Sequence, residues 1–166
     1  YNGDVKAAVM LKNLDYTDLD GMGKIELEAI YGAGALDIVK GFGDRQFRPA
    51  GVVTKEQAIA IAYRAAGREA EAQIAGEALN NARVQQDKKT DTMSIWHDGY
   101  LQLAANEGLI TRQDLADALS QDTSTFTATS FRRDAPAQRQ EMAAWLAKTL
   151  KLQPVYGQQK IFNRYN

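Results

Sequence analysis

The chain has 166 residues, enough for one compact domain or a few small repeats sharing a core. It is 45% hydrophobic and 25% charged, ordinary for a soluble globular protein, and its formal net charge of -1 gives no support for general nucleic-acid binding. It contains no cysteine, which removes disulfides, thiolate metal sites and a cysteine nucleophile.

No stretch approaches the roughly 20 apolar residues of a membrane span. Neither an initiator Met nor a signal peptide is visible, so the chain is expected to be a mature or excised fragment. In chain order, Val5, Ala7, Ala8, Val9, Leu11 and Leu14 predict a short apolar-faced helix over residues 5–14. Tyr16 to Gly21 reads as a turn rich in capping residues. The spacing of Ile25, Leu27, Ala29, Ile30 and Ala33 predicts a helix over 22–34. Gly41 and Gly43 punctuate a tight loop, where glycine allows positive φ, and Phe47 is expected to fold back from it into the core.

Thr54 with Gln57 forms a capping box that predicts a helix from 55 to 66, closed by Gly67. Residues 68–88 are rich in Ala, Glu and Gln and predict a helix with a narrow apolar stripe. A polar break at 88–92 precedes a helix that starts near Ile95 to Asp98 and ends at Gly108. Thr111 to Asp114 resembles another capping box, followed by a short helix and a polar loop, 120–130, with one short extended piece. Pro136 sits near the start of a last strong helix, 137–150, which Pro154 keeps short.

Two of these stretches say similar things. Gly41 to Pro49, Val53 to Gln57 and the helix through Tyr63 parallel Phe131 to Pro136, Gln138 to Glu141 and the helix through Ala147. Each unit is an aromatic, a basic residue, a proline turn, a cation just inside a helix start, and an apolar-faced helix. One such unit is too small to bury its own apolar face, so neighbours must stack, and the seams become natural ligand sites.

These residues resemble the S-layer homology repeat of bacterial cell-surface proteins. Tyr16-Thr17-Asp18 and Trp96-His97-Asp98 resemble the repeat's opening element. Ile38 to Gly41 and Phe47-Arg48-Pro49 resemble its glycine loop, and Val53 to Gln57 and Ala137 to Glu141 its Thr-Arg-Ala-Glu element. The first copy departs by Lys55 for Arg and Gln57 for Glu. The second has Gln138 for Thr and an insertion, 111–130, in place of the glycine loop.

The resemblance implies a mostly α fold of tandem helix-loop-helix repeats sharing a helical-bundle core, with inserted loops. It divides the chain into a helical lead-in (1–15), repeat 1 (16–67), a helical linker (68–94), repeat 2 with its insertion (95–151) and the start of a third repeat (152–166). It implies an extracellular, non-catalytic module of the bacterial cell wall or S-layer. Such a module binds secondary cell wall polysaccharide, often pyruvylated, non-covalently in grooves between repeats, without a cofactor. Carried onto this chain, the ligand site comprises Lys55, Arg139, Glu141 and Thr54 from the helix-start elements, with Gly41, Phe42, Gly43 and Asp44 from the glycine loop. The alternative is a structural module that self-assembles into a surface layer or filament, with glycan binding reduced or lost. The departures at Lys55, Gln57 and Gln138 motivate it.

Lys55 and Arg139 oppose the helix dipole, which favours negative charge at an N-terminus. Repeated, they suggest a clamp for a ligand carboxylate; the plainer alternative is a surface cation or an intrachain salt bridge. Phe42 is the aromatic suited to stack on a sugar, while Phe47, Phe131 and Trp145 read as core and Trp96 as core or sugar platform. His97 is the single histidine and has no evident catalytic partners. Asp18, Asp20 and Asp122 lack the ligand spacing of an EF-hand and read as turn and cap residues. No phosphate loop, dinucleotide fingerprint or nucleophile elbow is present.

Overall fold

A computed structural model describes residues 14–85 and 95–152. It is mostly helical: α1 (Lys24–Ala35), α2 (Lys55–Ala65), α3 (Glu69–Gln85), α4 (Ile95–Asn106), α5 (Arg112–Leu119) and α6 (Arg139–Thr149). The expected helix at 5–14, the side chain of Trp96 and the tail from residue 153 lie outside the described residues.

The helix ends follow the local chemistry. Thr54 Oγ1 accepts the Gln57 N–H at 3.3 Å and Gln57 Oε1 accepts the Thr54 N–H at 3.1 Å, a complete capping box. Thr111 and Asp114 repeat it at α5, at 3.0 and 2.8 Å. Gly67 and Gly108 take φ of 70° just past α2 and α4, the left-handed turn that frees the last carbonyls for capping.

The core is built around α2. Ile59 and Tyr63 are fully buried with Ala58 and Ala62, against Leu101 and Tyr100 of α4 and Trp145 of α6. Phe131 joins them from the loop before α6. The most extensive helix pair is α3 with α4. Their backbones come close at Gly99, where an added Cβ would stand 1.9 Å from the Ala72 carbonyl oxygen. Helix α3 thus packs along α4.

In contrast, α1 makes no such pairing with another described helix. It holds to the glycine loop instead. Tyr31 stacks on Tyr16 at 6.2 Å between centroids, and Tyr16 meets Phe47 at 5.4 Å. Two expectations change. The left-handed positions of this loop belong to Arg45 (φ 62°) and Arg48 (φ 59°), not to its glycines. The 120–130 loop carries turns, Thr123 to Phe126 and Thr127 to Ser130, with no extended piece.

Candidate functional site

The two stretches read from the sequence as repeats 1 and 2 meet along a hydrogen-bonded seam. The Lys55 N–H donates to the Ala135 carbonyl at 2.9 Å, the Glu56 N–H to Arg133 at 3.1 Å, and the Ala137 N–H to Val53 at 2.9 Å. Thr54 and Pro136 face each other as an antiparallel bridge. The α2 start of repeat 1 is thereby sewn to the loop of repeat 2, and two of the orphan N–H groups of α2 are satisfied across the seam.

Side chains reinforce it. Arg133 donates to Glu56 Oε2 at 2.5 Å, to Asp98 Oδ1 at 2.7 Å and to the Ala118 carbonyl at 3.2 Å. Arg83 takes the other Asp98 oxygen at 2.7 Å. Asp98 is 1% exposed, and two guanidinium groups compensate its burial. Glu56 Oε2 also lies 3.9 Å from His97 Nδ1, but Arg133 already engages that carboxylate. Burial, then the nearby Arg133 and Arg64, push the His97 pKa down to about 3, so the imidazole is neutral at physiological pH. It is a largely buried imidazole beside an ion network.

Two grooves flank this seam, at matched places in the two repeats. The larger, about 1000 Å³, lies between the glycine loop and α2–α3. The smaller, about 480 Å³, lies between the 128–131 turn and α6, at the seam. Gln57 and Ile61 line the first, and Glu141 and Trp145, at the same positions after the α6 N-cap, line the second.

Four of the eight expected site residues line these grooves, two in each, whereas Gly43, Asp44, Thr54 and Arg139 line neither. Gly41 and Phe42 line the larger groove. Gly41 is required there by close packing: a Cβ would stand 2.3 Å from Tyr16 Cε1 and 2.9 Å from the Gln46 oxygen, whereas at Gly43 it would meet nothing. Phe42 is 40% exposed, and the Arg48 guanidinium lies 4.1 Å from its ring centroid. Asp44 holds Arg48 at 3.0 Å and so positions that cation. Lys40 reaches Glu69 at 2.9 Å, and Arg64 reaches Glu69 at 3.3 Å and the Tyr100 hydroxyl at 3.0 Å. Burial pushes the Tyr100 phenol up to about 12, so it remains a neutral donor and acceptor on the groove wall.

Lys55 and Glu141 line the smaller groove as a salt bridge of 2.9 Å, with the Lys55 ammonium 5.1 Å from the Phe131 ring centroid. Glu141 also accepts the Gln138 N–H at 2.8 Å, so both its oxygens are spent within the chain. Thr54 is consumed as the α2 cap. Arg139 stands exposed at the first turn of α6 and pairs with no described residue.

The sequence reading missed Asp117. In repeat 1, Asp18 accepts the Phe47 and Arg48 N–H groups at 2.8 and 2.6 Å, which fixes the loop. The matching Asp98 is turned to Arg133 and Arg83 instead. Asp117, from the inserted α5, accepts the Phe131 N–H at 2.9 Å. The backbone donors hold both loop carboxylates below the usual carboxylate range. No signal in the sequence places an inserted helix's carboxylate where another repeat uses its own.

The S-layer homology domain family model matches residues 15–59, the stretch that carries Asp18, the glycine loop and the start of α2. Residues 15–59 are an S-layer homology domain. No curated protein and no solved structure matches the chain. S-layer homology domains are binding modules that generally mediate cell-wall anchoring at the cell surface. Among the described residues no helix is long and apolar enough to cross a membrane.

Proposed function

We propose that the chain is a non-catalytic anchor that binds secondary cell wall polysaccharide non-covalently, with the larger groove as the glycan seat. The observation that carries this reading is the wall of that groove. Glycine-loop backbone, the half-exposed Phe42 face and the cations Lys40 and Arg48 converge on one concave surface. A sugar ring stacks on Phe42, and acid groups such as a pyruvate ketal take Arg48 and Lys40. Those cations sit in exposed ion pairs, which are weak and exchange readily for a ligand anion. Gln57 and Gln73, on the opposite wall, offer amide groups to hydroxyls. Lys55 is the weaker carboxylate clamp, because Glu141 already neutralises it; Arg139 retains its full charge at the edge of the repeat.

Calorimetric titration of purified secondary cell wall polysaccharide, with and without its pyruvate groups removed, tests this. Binding that weakens about tenfold in Phe42→Ala or Arg48→Ala is expected, comparable to one lost stacking or charged contact. Absence of binding by the intact protein, or affinity indifferent to both substitutions, sinks the assignment.

A further inference from the structure

Three donors in the larger groove converge on one oxygen of the chain itself. Glu69 Oε1 accepts from the Lys40 ammonium at 2.9 Å, the Tyr100 hydroxyl at 3.1 Å and the Arg64 Nε–H at 3.3 Å. The same Arg64 Nε–H reaches the Tyr100 oxygen at 3.0 Å. All four side chains line the groove. They come from separate places in the chain: the lead into the glycine loop, the last turn of α2, the first residue of α3 and the middle of α4. The floor of the cluster is buried and its rim is wet. Tyr100 is buried and the Arg64 side chain is 7% exposed, whereas Glu69 and Lys40 reach solvent.

Burial alone disfavours a charge on Glu69, but the hydrogen bonds from Lys40 and Tyr100 outweigh it and hold the carboxyl below the usual carboxylate range. The cluster is a formed anion seat, a guanidinium, a phenol and an ammonium around one carboxylate oxygen. Its occupant is held differently from the one in the smaller groove. There Glu141 takes Lys55 with one oxygen and the Gln138 N–H with the other, so it is fixed as part of the α6 start. No described residue takes Glu69 Oε2. As the first residue of α3, Glu69 also keeps a favourable place for its charge, at a helix N-terminus, when its side chain turns outward.

We infer that Glu69 is an internal competitor for the carboxylate of the groove's ligand. The ligand's acid group replaces Glu69 Oε1 on Arg64, Tyr100 and Lys40, and Glu69 turns to solvent. This deepens the glycan reading and rests on it for the identity of the ligand, while the seat stands on its own contacts. Its consequence is selectivity. A small free acid gains only the exchange of one carboxylate for another. A ligand that also stacks on Phe42 brings a surplus that drives the exchange.

Acetate, titrated at constant ionic strength and followed by NMR at the Arg64 Nε–H, tests the seat without glycan. The intact protein should bind it weakly, and Glu69→Gln about tenfold more tightly, the scale of one charged hydrogen-bonding competitor removed. Glu77→Gln removes an equal charge from the same groove wall and should leave the Arg64 response as in the intact protein. In calorimetry Glu69→Gln should gain a similar factor for pyruvylated polysaccharide and none once the pyruvate is removed. Acetate affinity unchanged in Glu69→Gln, or raised equally by Glu77→Gln, overturns the inference. An acetate gain at Arg64 with no polysaccharide bound by any variant leaves the competitor in place and overturns the glycan reading alone.

Discussion

Asp98 shows how a single carboxylate can decide a local structure. At 1% exposure it is held by Arg83 and Arg133, and the latter also carries Glu56 and the Ala118 carbonyl. Removing it leaves two guanidinium groups without their shared partner. Asp98→Ala is expected to cost about 3 kcal/mol, measured by urea denaturation, the lower end for a broken buried pair because both arginines keep some solvent. The glycine loop offers a paired comparison. Gly41→Ala must push Tyr16 and the Gln46 carbonyl aside and should destabilise by about 1–3 kcal/mol, while Gly43→Ala meets open space and should be close to neutral. Equal effects at the two positions would contradict this account of the loop. The sequence marked both glycines as turn residues. It could not say that Gly41 is required by the ring of Tyr16, because that contact joins residues far apart in the chain.

At the scale of elements, the capping boxes and glycine stops were readable because they are local. Thr54–Gln57, Thr111–Asp114, Gly67 and Gly108 each act within a turn of where they stand. The pairing of α3 with α4 was not readable, since Ala- and Gln-rich helices look alike whether they link or pack. The contact at Gly99 is the clearest consequence. Alanine favours a helix over glycine by about 1 kcal/mol. Here its Cβ would lie 1.9 Å from a backbone oxygen of α3, which only a separation of the two helices relieves. Overpacking should win: Gly99→Ala is expected to lower the thermal midpoint rather than raise it. The candidate site was half legible for the same reason. Phe42 and Gly41 fell in one groove as a local motif. The Lys55–Glu141 pair, the turn of Arg133 toward Asp98 and the part played by Asp117 depend on how two distant repeats dock.

For the whole molecule, His97 links the seam to pH. Its folded pKa, about 3, lies below the ordinary value of 6.5, so protonation favours the unfolded chain. The stability that depends on a neutral His97 is complete above pH 6.5 and is lost as pH falls from 6.5 toward 3. The slope is up to about 1.4 kcal/mol per pH unit. The carboxylates held low by hydrogen bonds, Asp18 and Asp117 among them, add their losses only below the usual carboxylate range. Denaturation free energies between pH 6.5 and 5 therefore isolate the histidine: the wild type should lose stability across that interval and His97→Gln should not. Parallel slopes for the two proteins would exclude the buried imidazole as the cause.

The exchange of duties between Asp18 and Asp117 has a kinetic meaning. The Phe47 amide is protected by a carboxylate of its own repeat, whereas the Phe131 amide is protected by one that exists in place only while α5 is folded. Hydrogen exchange should therefore find Phe131 and the amides of α5 opening together as one cooperative unit, with Phe47 on a clock of its own. The insertion that looks like a decoration of the second repeat would then set how long that repeat's loop stays shut.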